Sequence, residues 1–550
     1  MASGRLFMGF AVFMSIFAVP AVARSAQAWQ VTFIDNSSMS PSIAAATRPR
    51  GTRETEIMGG VMNTGSYVNG KWYRPASSGT IKNINPADTS DVIAEYPLAT
   101  AADVRLAIEA AEAAWPMWKK TPGPERGRVL WRAADIARRR IDEIARTLTR
   151  EEGKILKESR GEVMKGISLL EYYAGEGFRM HGKTLPSESR DTFTYTVRQP
   201  MGVVGLIAPW NFPWAIPVWK SAPALVSGNC VVFKPSELTP ATTVLLTEIY
   251  EEAGLPPGVF NMLVGTGPEV GEAMVAAPQL RAISFTGSNR VGGALYVKAA
   301  QRGAKVTCEM GGKNAVIVMP DADLDKAAAA IHGGAFGSTG QRCTATSRVI
   351  AHADIKAALV ERLVAAAKQM KLGPGLDDSS DMGPSVGERQ WQTVMDYIKV
   401  GQGEGARMLT GGSRPDALSH GYFVEPTIFD SVSPSMRIFK EEIFGPVLSI
   451  ATATSLDEAL RFANGVEYGL TTSIFTENIT SVMKFVDDVE TGMVHVNEPT
   501  VGGEAQLPFG GTKSTGVGAR EMAEEGLNFF TELKTVFINY SGKAERSMTR

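Results

Sequence analysis

Apolar and polar positions form a regular pattern from Tyr67 onward. Asn-Gly sits between strand formers in Val68-Asn69-Gly70-Lys71-Trp72, which predicts a hairpin. Helical periodicity predicts one alanine-faced helix over Ala101 to Trp118. A second, over Glu125 to Glu151, carries apolar positions at Val129, Leu130, Ala133, Ile136, Ile141, Ile144 and Leu148. The Arg138-Arg139-Arg140 cluster on it reads as a solvated face. Short apolar runs bounded by Gly and Pro, Val203 to Ile207 and Cys230 to Phe233, predict buried parallel strands. Helices are expected over Trp219 to Ser227 and Thr239 to Ala253, and strands over Asn261 to Val264 and Ala282 to Phe285. This alternation predicts a doubly wound α/β domain. A second alternating block runs from Ala315-Val316-Ile317-Val318 to about Val496, with helices at Leu324 to Ile331 and Ile355 to Lys371 and a strand at Val447 to Ile450. Two alternating segments, Thr192 to Val197 and Thr535 to Tyr540, are read either as edge strands that pair with another subunit or as closing a local sheet.

The N-terminus has a different pattern. Arg5 precedes an apolar run from Leu6 to Val22 and then Ala26-Gln27-Ala28, the layout of a secretory signal. Residues 1–60 are therefore a leader or a misassigned extension, with a start at Met58 or Met62 as the alternative to export. The remaining chain divides as 61–181 plus 203–310, then 311–505, with 182–202 and 525–545 as strands between subunits.

At 550 residues the chain is long enough for two or more domains. A net charge of -2 leaves no basic footprint for nucleic acid. Three scattered cysteines give no disulfide framework, and five well-separated histidines give no zinc spacing. No metal site is expected, and the cysteine usage suits a reducing compartment.

Five segments carry candidate chemistry. Cys343 lies in the glycine-bracketed run Phe336-Gly337-Ser338-Thr339-Gly340-Gln341-Arg342-Cys343-Thr344, whereas Cys230 and Cys308 lie in strand-like stretches. A thiol in such a loop is placed to react. Pro209-Trp210-Asn211-Phe212-Pro213 stiffens a turn in which the Asn211 amide could face an oxyanion or merely satisfy the turn. Glu309, before Gly311-Gly312, suits a general base or a structural carboxylate. Lys234-Pro235-Ser236-Glu237, at a strand end, suits ribose contacts or a helix-entry turn capped by Ser236. The segment from Phe285 through Gly287, Ser288 and Gly292 suits a phosphate site or an ordinary strand–turn–helix.

Taken in order, Asn211, Lys234, Glu237, Gly287, Glu309 and Cys343 resemble the signature set of the NAD(P)-dependent aldehyde dehydrogenase superfamily. Glu441-Glu442-Ile443-Phe444-Gly445-Pro446-Val447 and Leu507-Pro508-Phe509-Gly510-Gly511 add to the match, which spans about Tyr67 to Tyr540. The resemblance implies a Rossmann-type cofactor domain, a second α/β catalytic domain and a small β oligomerisation element. It implies Cys343 as nucleophile, Asn211 as oxyanion donor and Glu309 as the base that releases the acid. It also implies cofactor contacts from Lys234, Glu237, Gly287, Ser288, Glu442, Phe444 and Trp210, and, held loosely, a proton-path role for Glu521. NAD is the expected cofactor, because Glu237 would repel a 2′-phosphate; Lys234 leaves NADP as an alternative.

The segments Phe336 to Arg348 and Val496 to Glu504 are most similar to the α-ketoglutaric semialdehyde (2,5-dioxopentanoate) dehydrogenase branch. A carboxylate-bearing substrate needs a cation, for which Arg179 and Arg342 are the candidates; the alternative makes both structural. Other readings are a succinic semialdehyde or broad-specificity aldehyde dehydrogenase, a cysteine hydrolase without redox chemistry, and a non-catalytic binding protein. The expected partners are a small-molecule aldehyde and further copies of the chain as homodimer or homotetramer, with no nucleic acid and no membrane. The expected location is cytoplasmic.

Overall fold

Two sheets organise the protein, and each follows from the apolar runs of the sequence. The computed structural model describes residues 55–542 apart from 58–59 and 77–78. The signal-like run and its cleavage pattern lie outside the described residues. Among the described residues, no helix is long and apolar enough to cross a membrane.

The first sheet has eight strands. Its centre is Val203–Ile207, flanked on one side by Cys230–Lys234 and Phe260–Met262 and on the other by Leu280–Thr286 and Lys305–Glu309, all parallel. The chain moves outward from Val203–Ile207 in one direction, then returns to build the other half. The strand order therefore reverses between Val203–Ile207 and Leu280–Thr286, and a crevice opens beyond the carboxyl ends of those two strands. The strands Val203–Ile207 and Cys230–Lys234 are buried at every position, as parallel strands covered on both faces require. The predicted hairpin joins this sheet through Ser66–Val68 and Lys71–Tyr73, with Asn69 at φ 52° and Gly70 at φ 76° in its turn.

The second sheet has seven strands. Asn314–Val318 and Thr346–His352 are its parallel centre. The alternation of these strands splits the core: Ala315, Ile317 and Ile350 pack on one face, and Val316, Val318 and Val349 on the other. Only residues 310–313 separate Glu309, the last residue of a strand in the first sheet, from Asn314, the first of a strand in the second. Catalytic candidates thus leave the first sheet at strand C-termini and enter the second just before strand N-termini.

A third sheet joins Thr531–Asn539 to Thr192–Pro200, which pairs in turn with Thr184–Leu185. Both alternating segments pair with each other, and Thr531–Asn539 remains at an edge. Its stretch begins after the helix Ala523–Phe529, so the first residues of the expected 525–545 strand are helical.

One expected helix is two. Gly123–Arg139 and Ile141–Glu152 meet at Arg140, whose φ of -102° and ψ of 16° break the helical path. The continuous apolar period hid this break, because both halves pack inward. Arg138, Arg139 and Arg140 pair with Glu171, Asp135 and Glu143, the solvated face expected of them. The helix Leu156–Glu176, which the sequence pattern did not single out, packs against both Gly123–Arg139 and the helix Ala215–Val226.

Candidate active site

Cys343 sits on a strained loop. The helix Leu324–Phe336 ends in a tight turn, and Ser338, Thr339 and Gly340 take φ values of 49°, 58° and 67°. Left-handed backbone is costly for a β-branched residue such as Thr339. Surrounding bonds hold it. The Ser338 N–H donates to Glu158 at 2.7 Å, and Thr339 Oγ1 donates to the Gly383 carbonyl at 2.9 Å. Gln341 Oε1 accepts from the Val386 N–H at 2.9 Å. On the far side, Asn314 Nδ2 donates to the carbonyls of Cys343 and Ala345, each at 2.8 Å.

Asn211 reaches this loop from the first sheet. It is 3% exposed, and its Nδ2 donates to the Gln341 carbonyl at 3.1 Å. Its own carbonyl accepts from Lys154 Nζ at 2.6 Å. Lys154 pairs with Glu162 at 2.8 Å, both side chains being 1% exposed. The same ammonium lies 4.1 Å from the centroid of the Phe212 ring. Glu162 in turn accepts from the N–H groups of Trp214 and Ala215 at 2.9 and 3.1 Å. A buried ion pair therefore grips the turn carrying Asn211 along residues 211–215. Neither Lys154 nor Glu162 was legible as a site residue, since a charged side chain in a link between helices or on a helix reads as solvated.

Cys343 keeps some solvent exposure. Burial nevertheless pushes its thiol up to about 12, with Glu442 and Glu309 adding to the rise and the N–H groups of Thr344 and Cys343 opposing it. Both carboxylates thus bear on the thiol through their charge. Glu309 is 3% exposed, and its Oε2 accepts from the Gly511 N–H at 3.3 Å. Burial, then Glu521, holds its carboxyl well above the usual range, with Arg520 and Lys220 opposing. A methyl group on Gly510 would stand 2.3 Å from Glu309 Oε1, so only glycine leaves the carboxylate its place. Glu521 is fully engaged: Lys220 and Ser284 donate to its Oε1 and Trp219 Nε1 to its Oε2, behind Glu309.

The residues expected to hold a dinucleotide gather around the crevice of the first sheet. Lys234 ends its strand with Nζ turned to the Pro235 carbonyl at 2.9 Å and to Glu237 at 3.3 Å. Ser236 accepts from the Leu238 N–H at 3.2 Å and so caps a local turn, while the next helix starts at Pro240. Gly287 and Ser288 link the strand Leu280–Thr286 to the helix Asn289–Gln301, and Ser288, at its N-cap, makes no side-chain cap bond. Glu442 Oε1 accepts from the Gly312 N–H at 2.8 Å. Its carboxyl is raised to about 7 by burial, against the Gly312 N–H and Lys313. Trp210 and Phe444 meet edge to face with ring centroids 5.4 Å apart, Phe444 being held at φ 59°. Carboxylates for ribose hydroxyls, a free helix N-terminus for phosphates and an aromatic wall fit such a cofactor. Among the described residues, no cluster of side chains suits a metal ion.

The two arginines are committed elsewhere. Arg342 Nη2 pairs with Glu158 at 3.0 Å and bonds Ser338 Oγ at 2.9 Å, bracing the cysteine loop. Arg179 pairs with Glu176 at 2.5 Å at the exposed end of its helix.

A doubly wound sheet joined to a second α/β sheet, with a thiol at their junction, fits an NAD(P)-dependent oxidoreductase of aldehydes, and similarity to known proteins shows that class. The chain belongs to the aldehyde dehydrogenase family, whose sequence model matches residues 72–536. It is 46% identical over 475 residues to alpha-ketoglutaric semialdehyde dehydrogenase of Bacillus subtilis, spanning 86% of this chain and 97% of that protein. Identity to 2,5-dioxopentanoate dehydrogenase of Saccharolobus solfataricus is also 46%, over 470 residues, 85% of this chain and 98% of the other. The NAD+ complex of betaine aldehyde dehydrogenase from Staphylococcus aureus superposes with a TM-score of 0.86 at 33% identity, covering 89% of this chain and 97% of that one. The NAD-dependent aldehyde dehydrogenase of Sinorhizobium meliloti gives 0.85 at 36% identity, covering 88% and 96%.

Proposed function

We propose that this enzyme oxidises 2,5-dioxopentanoate (α-ketoglutaric semialdehyde) to the dicarboxylic acid, with Cys343 as nucleophile and NAD as the preferred cofactor. The observation that carries the mechanism is what meets the Cys343 loop: the Asn211 amide bonds the Gln341 carbonyl, and the short strap from Glu309 ends at Asn314, whose amide bonds the Cys343 carbonyl. The similarity to two relatives named for this substrate supports the substrate class.

With its thiol held up to about 12, Cys343 carries its proton at neutral pH and needs a base. Glu309, a buried carboxylate of raised basicity, takes it. The sulfur attacks the aldehyde carbon, and the resulting oxyanion is met by the Cys343 N–H and Asn211 Nδ2. NAD(P)+, when bound, would supply the acceptor for the aldehyde hydrogen as hydride; on the protein side its loss turns the Cys343 adduct into a thioester. Glu309 passes the thiol proton to solvent and then draws one from water; hydroxide addition to the thioester expels the Cys343 thiolate, which takes the proton back from Glu309 as the acid is released. Trp210, Lys234, Glu237, Gly287, Ser288, Glu442 and Phe444 hold the cofactor. Glu237, with its side chain 41% exposed, favours NAD by repelling a 2′-phosphate.

Cofactor use supports a cytoplasmic location. The strand Thr531–Asn539 supports assembly with a second copy: it lies at a sheet edge with Leu533 and Ile538 exposed. A panel of 2,5-dioxopentanoate, succinic semialdehyde and propanal, each with NAD and NADP and read at 340 nm, tests the substrate reading. The expected order places 2,5-dioxopentanoate first in kcat/KM with NAD; equal values for propanal would refute the acidic-substrate reading. Cys343→Ser is expected to abolish oxidation while leaving NAD binding intact, and turnover by that variant would remove Cys343 from the mechanism.

A further inference from the structure

A substrate with a remote carboxylate needs a cation beside the thiol, and neither arginine singled out by the sequence is free to serve. A different cation lies on the helix that braces the cysteine loop. The helix Leu156–Glu176 presents Glu158, Glu162 and Lys165 along one stripe, at intervals of a helical turn. Glu158 bonds the cysteine loop at Ser338 and Arg342. Glu162 holds the turn that carries Asn211. Lys165, next along the stripe, donates from Nζ to the Gly503 carbonyl at 2.5 Å.

The segment that Lys165 touches is itself tied to the thiol. Thr500 is wholly buried; its Oγ1 donates to the carbonyl of Thr344, the residue after Cys343, at 2.8 Å and meets Thr346 Oγ1 at 2.8 Å. The chain then runs from Thr500 to Gly503 across to Lys165. Helix stripe and loop therefore both start from bonds to the cysteine loop and meet at the Lys165 amine.

We propose that Lys165 is the specificity-determining cation that receives the remote carboxylate of the semialdehyde substrate, exchanging its bond to the Gly503 carbonyl for one to the ligand. The proposal rests on the acidic-substrate reading above. Lys165 is bonded to a carbonyl, and Glu504 acts on its charge without forming an ion pair among the described residues. Partial burial lowers its amine to about 8, which marks an ammonium short of solvation and ready to gain an anion. At neutral pH it remains protonated. The carboxylate would engage it as a charge-assisted hydrogen bond at the open end of the cleft, leaving the aldehyde to reach Cys343.

Lys165→Met and Lys165→Arg test this with 2,5-dioxopentanoate, succinic semialdehyde and propanal, and with glutarate as a non-reacting dicarboxylate inhibitor. Loss of one hydrogen bond to a charged group predicts a rise of about 10- to 100-fold in KM for 2,5-dioxopentanoate in Lys165→Met. Propanal kcat/KM should be unchanged, glutarate inhibition weakened by a similar factor, and both effects largely restored by Lys165→Arg. In the native enzyme, KM for 2,5-dioxopentanoate should rise above about pH 8 as the amine deprotonates, while KM for propanal should not. A parallel loss for propanal would make Lys165 a brace for the Gly503 loop and overturn the proposal, as would an unchanged KM and glutarate affinity. A native enzyme indifferent to substrate charge would refute the substrate class on its own. The glutarate comparison would then judge Lys165 separately.

Discussion

Replacing Lys154 by methionine tests whether the oxyanion donor is positioned by a buried charge. The change removes an ammonium that bonds the Asn211 carbonyl at 2.6 Å and Glu162 at 2.8 Å, with both ionic side chains 1% exposed. Glu162 keeps two backbone donors but loses its counter-charge, and the Asn211 carbonyl loses a donor. Breaking a buried pair from one side typically costs about 3–5 kcal/mol of stability. Denaturant titration should show that loss, and the Lys154→Met/Glu162→Gln double variant should recover part of it. The catalytic effect is separate. Removing an oxyanion donor costs about 100- to 1000-fold in rate, so misplacing one should lower kcat by up to that factor with little change in NAD binding. The decisive assay is a double-mutant cycle read at 340 nm. If Lys154 acts through Asn211, Lys154→Met should reduce kcat strongly in the native background and only slightly on top of Asn211→Ala. Fully additive losses in kcat would refute the positioning argument and leave Lys154 as a stability element alone.

Other consequences can be checked as directly. Gly510→Ala would put a methyl 2.3 Å from Glu309 Oε1 at a backbone φ of 150°, displacing the base; we expect a kcat reduced by about 100-fold or more, with no NADH burst in the first turnover because thiol activation and thioester hydrolysis both lose their base. A full-rate variant would remove Glu309 from both steps, and a burst would confine it to deacylation. Burial raises the Glu442 carboxyl to about 7, so its ionised fraction, and with it NAD affinity, should grow as pH rises from 6 to 8. Because Lys313 opposes that rise, Lys313→Met should move the limb to higher pH, and calorimetric titration of NAD showing no movement would refute the coupling. The same raised carboxyl binds its proton more tightly folded than unfolded, so its contribution to stability is fully present below about pH 4 and is lost as pH rises through about 7.

The first sheet was legible because parallel buried strands read as short apolar runs: Val203 to Ile207 was placed to the residue. Asn211, Glu309 and Cys343 stood out because proline and glycine mark turns beside them. What escaped was charge turned inward. Lys154, Glu162 and Lys165 lie on or beside a helix whose polar residues look solvent-facing in the sequence, and only the packing of that helix against the Asn211 turn shows otherwise. Arg342 illustrates the reverse: a cation adjacent to the nucleophile suggests substrate contact, but Glu158, distant in sequence, had already claimed it. The break at Arg140 was invisible because both flanking helices bury the same periodic face.

The strap from Glu309 to Asn314 has an architectural consequence. It carries the chain from one sheet to the other, and neither of its glycines has room for a side chain: a methyl on Gly311 would fall 2.1 Å from Glu442 Oε2, and one on Gly312 2.7 Å from the Cys343 carbonyl. The strap works as a ruler: covalent bonds run from the base to Asn314, and the Asn314 amide carries the measure on to the Cys343 carbonyl. The exposed 502–504 stretch, beyond the Thr500 bond to the cysteine loop, can therefore change without altering that offset. A single inserted residue in the strap would disturb every substrate alike.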